Sequence, residues 1–118
     1  MQLKVTEHEI QNQIIEYLKI KKWFVYRINS GMLPMFGAGG KQRMIKLGEA
    51  GMPDLILFDR VSINDNYVDG IVKLIFIEVK VPGNKPTALQ TAKMQELEEK
   101  GAKCLVIHSL EELQAEGF

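Results

Sequence analysis

The chain has 118 residues, 46% hydrophobic and 25% charged, with 15 basic and 15 acidic groups. That length allows one domain, over residues 1–118, and the balance is that of a folded globular protein, which excludes the disordered and collagenous classes. No apolar run approaches the roughly 20 residues that span a bilayer, residues 1–9 hold no apolar signal core, and the single cysteine, Cys104, cannot form an internal disulfide, so the expected location is the cytoplasm.

Zero net charge gives no support for nucleic-acid binding by the chain as a whole, but the charges are unevenly placed. From Lys19 to Lys46 there are seven Lys or Arg (19, 21, 22, 27, 41, 43, 46) and no Asp or Glu. Between Glu96 and Glu116 acids outnumber bases. A local basic face on a neutral protein is the expectation.

Taken in chain order, Thr6 with Glu9 three residues later is a capping-box pattern. Ile10, Ile14, Ile15 and Leu18 follow at helical spacing, which predicts a helix over 7–21. Residues 23–28 are aromatic and β-branched and read as a strand. Residues 31–51 carry six glycines (31, 37, 39, 40, 48, 51). They read as a loop too glycine-rich for a regular element and too long for an idle connection. Residues 54–58 are a second short strand entered through Pro53, 62–70 a polar turn region, and 71–81 a long apolar strand placed centrally in a sheet. Pro82, Gly83 and Pro86 break it. A helix over 87–100 is stopped by Gly101, a strand follows over 104–108, and residues 110–116 form a short closing helix.

The order is αβββαβ. Three loop-joined strands suggest an antiparallel meander, and the final β-helix-β step suggests a parallel pair with a right-handed crossover. The fold class is α/β, a mixed four-stranded sheet flanked by helices.

Glu78 and Lys80 are two apart on one strand, so both side chains face the same way, and they interrupt an apolar run in which bare charge is costly. Asp54 opens the neighbouring strand. In a meander the start of one strand lies near the end of the next, which brings two carboxylates and an ammonium to one edge of the sheet. Two carboxylates hold a hard cation such as Mg²⁺ with waters still attached. Such an ion acidifies water and polarises a phosphoryl oxygen, and a nearby Lys orients the water or stabilises developing charge. Glu-x-Lys also occurs as an ordinary surface ion pair and Asp after Pro as a turn residue. The helices add weight. Glu7 and Gln11 share a side with Ile10 and Ile14, and Gln90 shares one with Met94 and Leu97. Polar groups on apolar faces need partners.

In this order and spacing, Gly51-Met-Pro53-Asp54-Leu, Glu78-Val-Lys80 and Gln90 resemble the PD-(D/E)XK nuclease signature, and more narrowly the VRR-NUC family of virus-type replication-repair nucleases. The likeness takes in the Glu7/Gln11 helix, Arg27-Ile-Asn29-Ser30-Gly31, Gly39-Gly40-Lys41, residues 76–82 and Lys85-Pro86-Thr-Ala-Leu-Gln90. It implies a restriction-endonuclease-like core with Mg²⁺ or Mn²⁺ held by Asp54, Glu78 and the Val79 carbonyl. Lys80 is then the catalytic lysine and Gln90 the helix glutamine that supports the site. Where many relatives carry Glu, this chain has Gln11, which offers an oxygen without charge; Glu7, one turn earlier, is the other candidate.

The resemblance further implies a structure-selective DNA endonuclease of phage-type replication or repair. A four-way junction is the expected substrate and a homodimer the expected assembly, with dimer contacts around Met32 and Phe36. The alternatives are a nonspecific or end-processing DNA nuclease and a catalytically silent DNA-binding module. Lys41, Arg43 and Lys46, in or beside the glycine-rich segment, and Arg27, Asn29 and Ser30 just before it are the candidate DNA contacts, because cations neutralise phosphates and glycines let backbone N–H groups approach them. The same residues would also suit a solvated loop. Gly37 to Gly40 is not a P-loop, lacking the Gly-Lys-Ser/Thr spacing. His8 and His108 have no partner at zinc spacing and read, with Cys104, as structural.

Overall fold

The structure, a computed structural model, describes residues 4–28, 32–40, 42–46 and 48–118; of these, 32–35, 38 and 42–46 are described by their backbone alone. Helix α1 runs Glu7–Ile20 from the expected capping box. Thr6 Oγ1 accepts from the Glu9 N–H at 3.1 Å, and Glu9 Oε2 accepts from the Thr6 N–H at 3.2 Å. A cap of this kind is worth about 1 kcal/mol.

The main sheet is built from β1 (Phe24–Arg27), β4 (Leu55–Ile63), β5 (Asn66–Val79) and β6 (Lys103–Ile107), in the order β1-β4-β5-β6. The first three are antiparallel and β5 and β6 are parallel. The mixed four-stranded α/β sheet is therefore the one expected. Helix α2 (Ala88–Glu99) joins the parallel pair, and α3 (Leu110–Ala115) follows β6.

Side-chain alternation divides this sheet into two unlike faces. One carries Val25, Leu55, Leu57, Ile75, Ile77, Val79 and Ile107 onto Ile10, Ile14 and Leu18 of α1 and Leu113 of α3. Each of these fully buried aliphatics contributes about 1.5–3 kcal/mol relative to exposure. The opposite face presents Phe76 and Glu78 of β5 and Cys104 of β6, and α2 lies over its β6 side, where the Cys104 thiol meets the Met94 carbonyl at 3.6 Å.

Two readings of the chain are corrected. Residues 31–51 are not simply a loop: β2 (Met32–Phe36) and β3 (Gln42–Lys46) pair antiparallel as a separate two-stranded sheet. Three of the six glycines, 37, 39 and 40, fall in the turn, where Ala38–Gly40 is a short 3₁₀ segment, the other three lie outside the hairpin, and the strand residues themselves hold none; Pro34 is tolerated because every strand of a two-stranded sheet is an edge. Likewise 62–70 is not a turn region. Strands β4 and β5 continue through it as a long hairpin and reverse at Asn64 and Asp65, both at positive φ (52° and 64°), which these two residue types tolerate better than most. The Asp69-Gly70 dipeptide, which resembles a turn signal, instead forms a bulge: Gly70 takes φ 78° beside the register shift at Arg60 to Ser62.

The segment between β5 and α2 is clasped from below. His108 Nδ1 lies 3.1 Å from Glu112 Oε2 and Nε2 lies 2.9 Å from the Asn84 carbonyl. Both partners are acceptors, so only the doubly protonated ring satisfies both, and its pKa is raised by the Asn84 carbonyl first and then by Glu112. A raised folded-state pKa gives stabilisation that is complete below the ordinary value of 6.5 and is lost as pH rises through the folded value. The melting temperature of the wild type is expected to fall relative to that of His108→Gln between pH of about 6 and 8; parallel profiles across that window would show that the clasp carries no charge.

Candidate active site

Asp54, Glu78, Lys80 and Gln90 converge at the edge of the second face. Asp54 extends β4 by one residue and stitches its two neighbours: its N–H donates to the Ile77 carbonyl at 3.1 Å and its carbonyl accepts from the Ile28 N–H at 2.9 Å. Its carboxylate Oδ2 accepts from the Val79 N–H at 2.7 Å. Val79 contributes its N–H to the site, as the donor that holds Asp54. Lys80 continues the ladder, its N–H donating to the Ile107 carbonyl at 3.1 Å. Its Nζ lies 3.7 Å from Glu78 Oε1, close enough for charge attraction but too far for a hydrogen bond.

Glu78 is only 2% exposed and Asp54 8%. Burial is the main cause that raises both carboxyl pKa values. Glu78 is pushed up to about 8, with the Asp54 charge adding to burial and Lys80 opposing it. For Asp54 the Val79 hydrogen bond opposes the rise, and the charge of Glu7 adds to it. Glu78 Oε1 accepts from Gln90 Nε2 at 3.1 Å, whereas Glu78 Oε2 is buried with no hydrogen-bond partner among the described residues. A buried carboxylate oxygen left bare beside a second carboxylate is a costly arrangement that is relieved by a cation.

Gln90 owes its orientation to the helix start. Thr87 caps α2, and Gln90 completes the box: its Oε1 accepts from the Thr87 N–H at 2.8 Å while Thr87 Oγ1 accepts from the Gln90 N–H at 3.1 Å. With the amide oxygen used by the cap, the amide N–H group is the one left to face Glu78. Thr87 is thus a positioning residue that the site reading missed. Its signal was present as Thr-x-x-Gln.

The remaining expected residues are placed as follows. Glu7 lies in the first turn of α1, near enough for its charge to raise both carboxylates. Gln11 is buried, but its Oε1 accepts from Arg27 Nε at 3.1 Å, and Arg27 Nη2 donates to Asn12 Oδ1 at 2.7 Å. Gln11 and Arg27 are therefore joined to each other. Asn29, Ser30 and Lys41 lie outside the described residues. Arg43 and Lys46 sit on the backbone of β3, their side chains also outside the described set.

Gly51 sets the approach of the segment before Asp54 to α2. At φ +86°, a Cβ here would come 2.8 Å from Leu89 Cγ and 3.1 Å from the Leu89 carbonyl oxygen. Lys93 Nζ, 3.0 Å from Glu49 Oε1, ties the same two parts together. Because Asp54 and Gln90 lie on either side of this contact, Gly51→Ala is expected to cost about 1–3 kcal/mol through backbone strain and overpacking and to slow any reaction at the site. Urea unfolding checks the first part; an unchanged midpoint would show that the turn gives way without loss.

Among the described residues no group of three or more His, Cys, Asp or Glu could hold a metal ion. A cation here would take two carboxylates and complete its shell from backbone and water, which is how Mg²⁺ is commonly held, and the all-oxygen set is unlike a structural zinc site. Among the described residues no helix is long and apolar enough to cross a membrane. Neither the comparison with curated proteins nor that with solved structures gives a match. The family model of the VRR-NUC domain matches residues 38–111, more than half of the chain, with Asp54, Glu78, Lys80, Thr87 and Gln90 inside the match and α1 outside it. The chain belongs to the VRR-NUC domain family, a family of nucleases.

Proposed function

We propose that this protein is a DNA endonuclease that uses Mg²⁺ or Mn²⁺ held by Asp54 and Glu78. The observation that carries the reading is the buried Glu78 Oε2, without a hydrogen-bond partner among the described residues, beside the Asp54 carboxylate in a chain of nuclease family. When bound, the ion supplies positive charge that polarises the phosphoryl group and acidifies water. The protein's own groups do the rest. The Val79 N–H fixes Asp54, and Gln90, locked by its cap, fixes Glu78, so both carboxylates are oriented before substrate arrives. Lys80, 13% exposed and next to Glu78, places an ammonium where charge develops on the phosphate oxygens as the bond to the leaving group breaks.

The proposed substrate is branched DNA, the four-way junction foremost, cut by a homodimer. One chain has one such pair of carboxylates, and a two-fold pair supplies two cuts in fixed geometry. Cleavage of linear duplex, single strand, flap and four-way junction with Mg²⁺, Mn²⁺ or excess chelator tests the reading, with light scattering on the same sample. Expected are cleavage that stops with chelator, a preference for the junction, and a mass of twice 13.4 kDa. Undiminished cleavage in chelator would overturn the metal, and a monomer that cuts both strands of the junction together would overturn the dimer.

A further inference from the structure

The sheet face that carries the carboxylates is only partly covered by α2. On its β1 and β4 side, Phe24, Tyr26 and Phe58 form a file of near-parallel rings. The centroids of Phe24 and Phe58 are 4.3 Å apart with planes at 24°, and those of Phe24 and Tyr26 are 5.4 Å apart at 18°. Phe24 is 48% exposed and Tyr26 62%. Such rings are an unusual surface for an edge strand, where charged residues normally discourage pairing.

At the free edge of β1, a cavity of about 520 Å³ opens between α1 and β1 on the other side of the strand, with Lys19, Asn12 and Arg27 in its lining and Phe24 and Tyr26 at its border. Arg27 is bonded to two neutral amides, so its charge is not cancelled, and among the described residues neither Lys19 nor Arg27 pairs with a carboxylate. The rings lead along the sheet toward the carboxylates: Tyr26 and Phe24 pair in register with Ile56 and Phe58, two and four residues past Asp54 on the same face of β4. Flat rings that offer π faces on one side of an edge strand, with unpaired cations on its other side, are the two components of single-strand recognition, in which bases stack and phosphates follow the cations.

We propose that this groove binds an unpaired DNA strand, with bases stacked on Phe24 and Tyr26 and phosphates on Lys19 and Arg27, and delivers it to Asp54 and Glu78. The proposal rests on the reading of the chain as a DNA nuclease, and the feature that it grips is an unpaired stretch, as at a flap or an opened branch point. A second copy of the chain is the rival occupant of an exposed aromatic strip, and the cations beside the rings favour the nucleic acid.

The test is anisotropy of a labelled 15-residue oligo-dT and of a blunt duplex, in chelator, with wild type, Tyr26→Ala and the Phe24→Leu/Tyr26→Ala pair. Tyr26 is mostly exposed, and leucine keeps the apolar contact with Phe58, so the variants fold; circular dichroism melts check this. Loss of stacking corresponds to roughly five- to hundredfold weaker binding per base. The expected result is a loss of that size for oligo-dT, with duplex affinity within about twofold of wild type. A 2-aminopurine placed in the oligomer should be quenched by wild type and released in the variants. Unchanged oligo-dT affinity, an equal loss on both DNAs, or a wild-type dimer that the variants turn into monomer would overturn the groove. Because this assay needs no cleavage, the two readings fail separately. Ring-dependent oligo-dT binding by a protein that cuts nothing leaves the groove standing without the nuclease. Metal-dependent cleavage with ring-independent binding leaves the nuclease without the groove.

Discussion

Glu78→Gln is expected to abolish cleavage and at the same time to raise the melting temperature of the ion-free protein. The substitution keeps the shape and keeps an oxygen for Gln90 Nε2, which now bonds Glu78 Oε1 at 3.1 Å. It removes a charge that burial and the adjacent Asp54 both disfavour, and the new amide N–H group replaces the oxygen that has no partner among the described residues. Asp54, whose charge acts on Glu78, is the adjacent carboxylate that can accept from this amide. At roughly 4 °C for each kcal/mol gained in a domain of this size, a rise of a few degrees is the expected outcome. The cost falls on function. An ion held by one carboxylate instead of two loses several kcal/mol of charge stabilisation, and each 1.36 kcal/mol is a factor of ten in rate, so cleavage should fall at least about a thousandfold. Asp54→Ala should match the loss of activity without the gain in stability, because it also strips the Val79 N–H of its acceptor. A Glu78→Gln protein that melts lower than wild type and still cuts would mean that the carboxylate is a structural group and the chemistry lies elsewhere.

Lys80→Ala is expected to slow cleavage by at least about a hundredfold, the size seen when one preorganised donor to a developing charge is lost. Its effect should differ in kind from that of the carboxylates. Lys80 touches Glu78 only by charge, at 3.7 Å, and its backbone stays in the ladder with Ile107. The single-turnover rate should therefore fall while the concentration of Mn²⁺ needed for half-maximal activity does not rise. Wild-type turnover in Lys80→Ala would show that another cation faces the phosphate. A large rise in the Mn²⁺ requirement would show that the lysine acts by organising Glu78.

Much of this arrangement is legible before any coordinates. The core helix and the antiparallel trio follow from strong periodicity, Ile10, Ile14 and Leu18 on one side and alternating aliphatics on the strands, and burial decides both. The meeting of Asp54 with Glu78 and Lys80 follows from two-residue alternation together with the meander. Gln90 stands out as an amide on an apolar helix side.

What the sequence conceals is local turn chemistry and pairing across the fold. Asp69-Gly70 looks like a reversal and is a bulge, while the actual reversal at Asn64 and Asp65 lacks the glycine that marks most such turns. The glycines around residues 37–40 hide a hairpin because their frequency, averaged over a window, outweighs the strand-compatible residues on either side. Gln11 reads as a site residue because it is polar on a buried face, yet that reading does not reveal that Arg27, sixteen residues on, takes its oxygen. Nor does spacing alone reveal that Thr87 fixes which end of Gln90 meets Glu78.

Calorimetric titration of Mn²⁺ into the wild-type protein and into Asp54→Asn, Glu78→Gln and Lys80→Ala tests the central claim most directly, because it reads the metal site without DNA or turnover. The account predicts saturable binding by wild type and by Lys80→Ala, and its loss in both carboxylate variants. Equal Mn²⁺ binding by wild type and Glu78→Gln would contradict it, since the ion would then sit somewhere other than between Asp54 and Glu78.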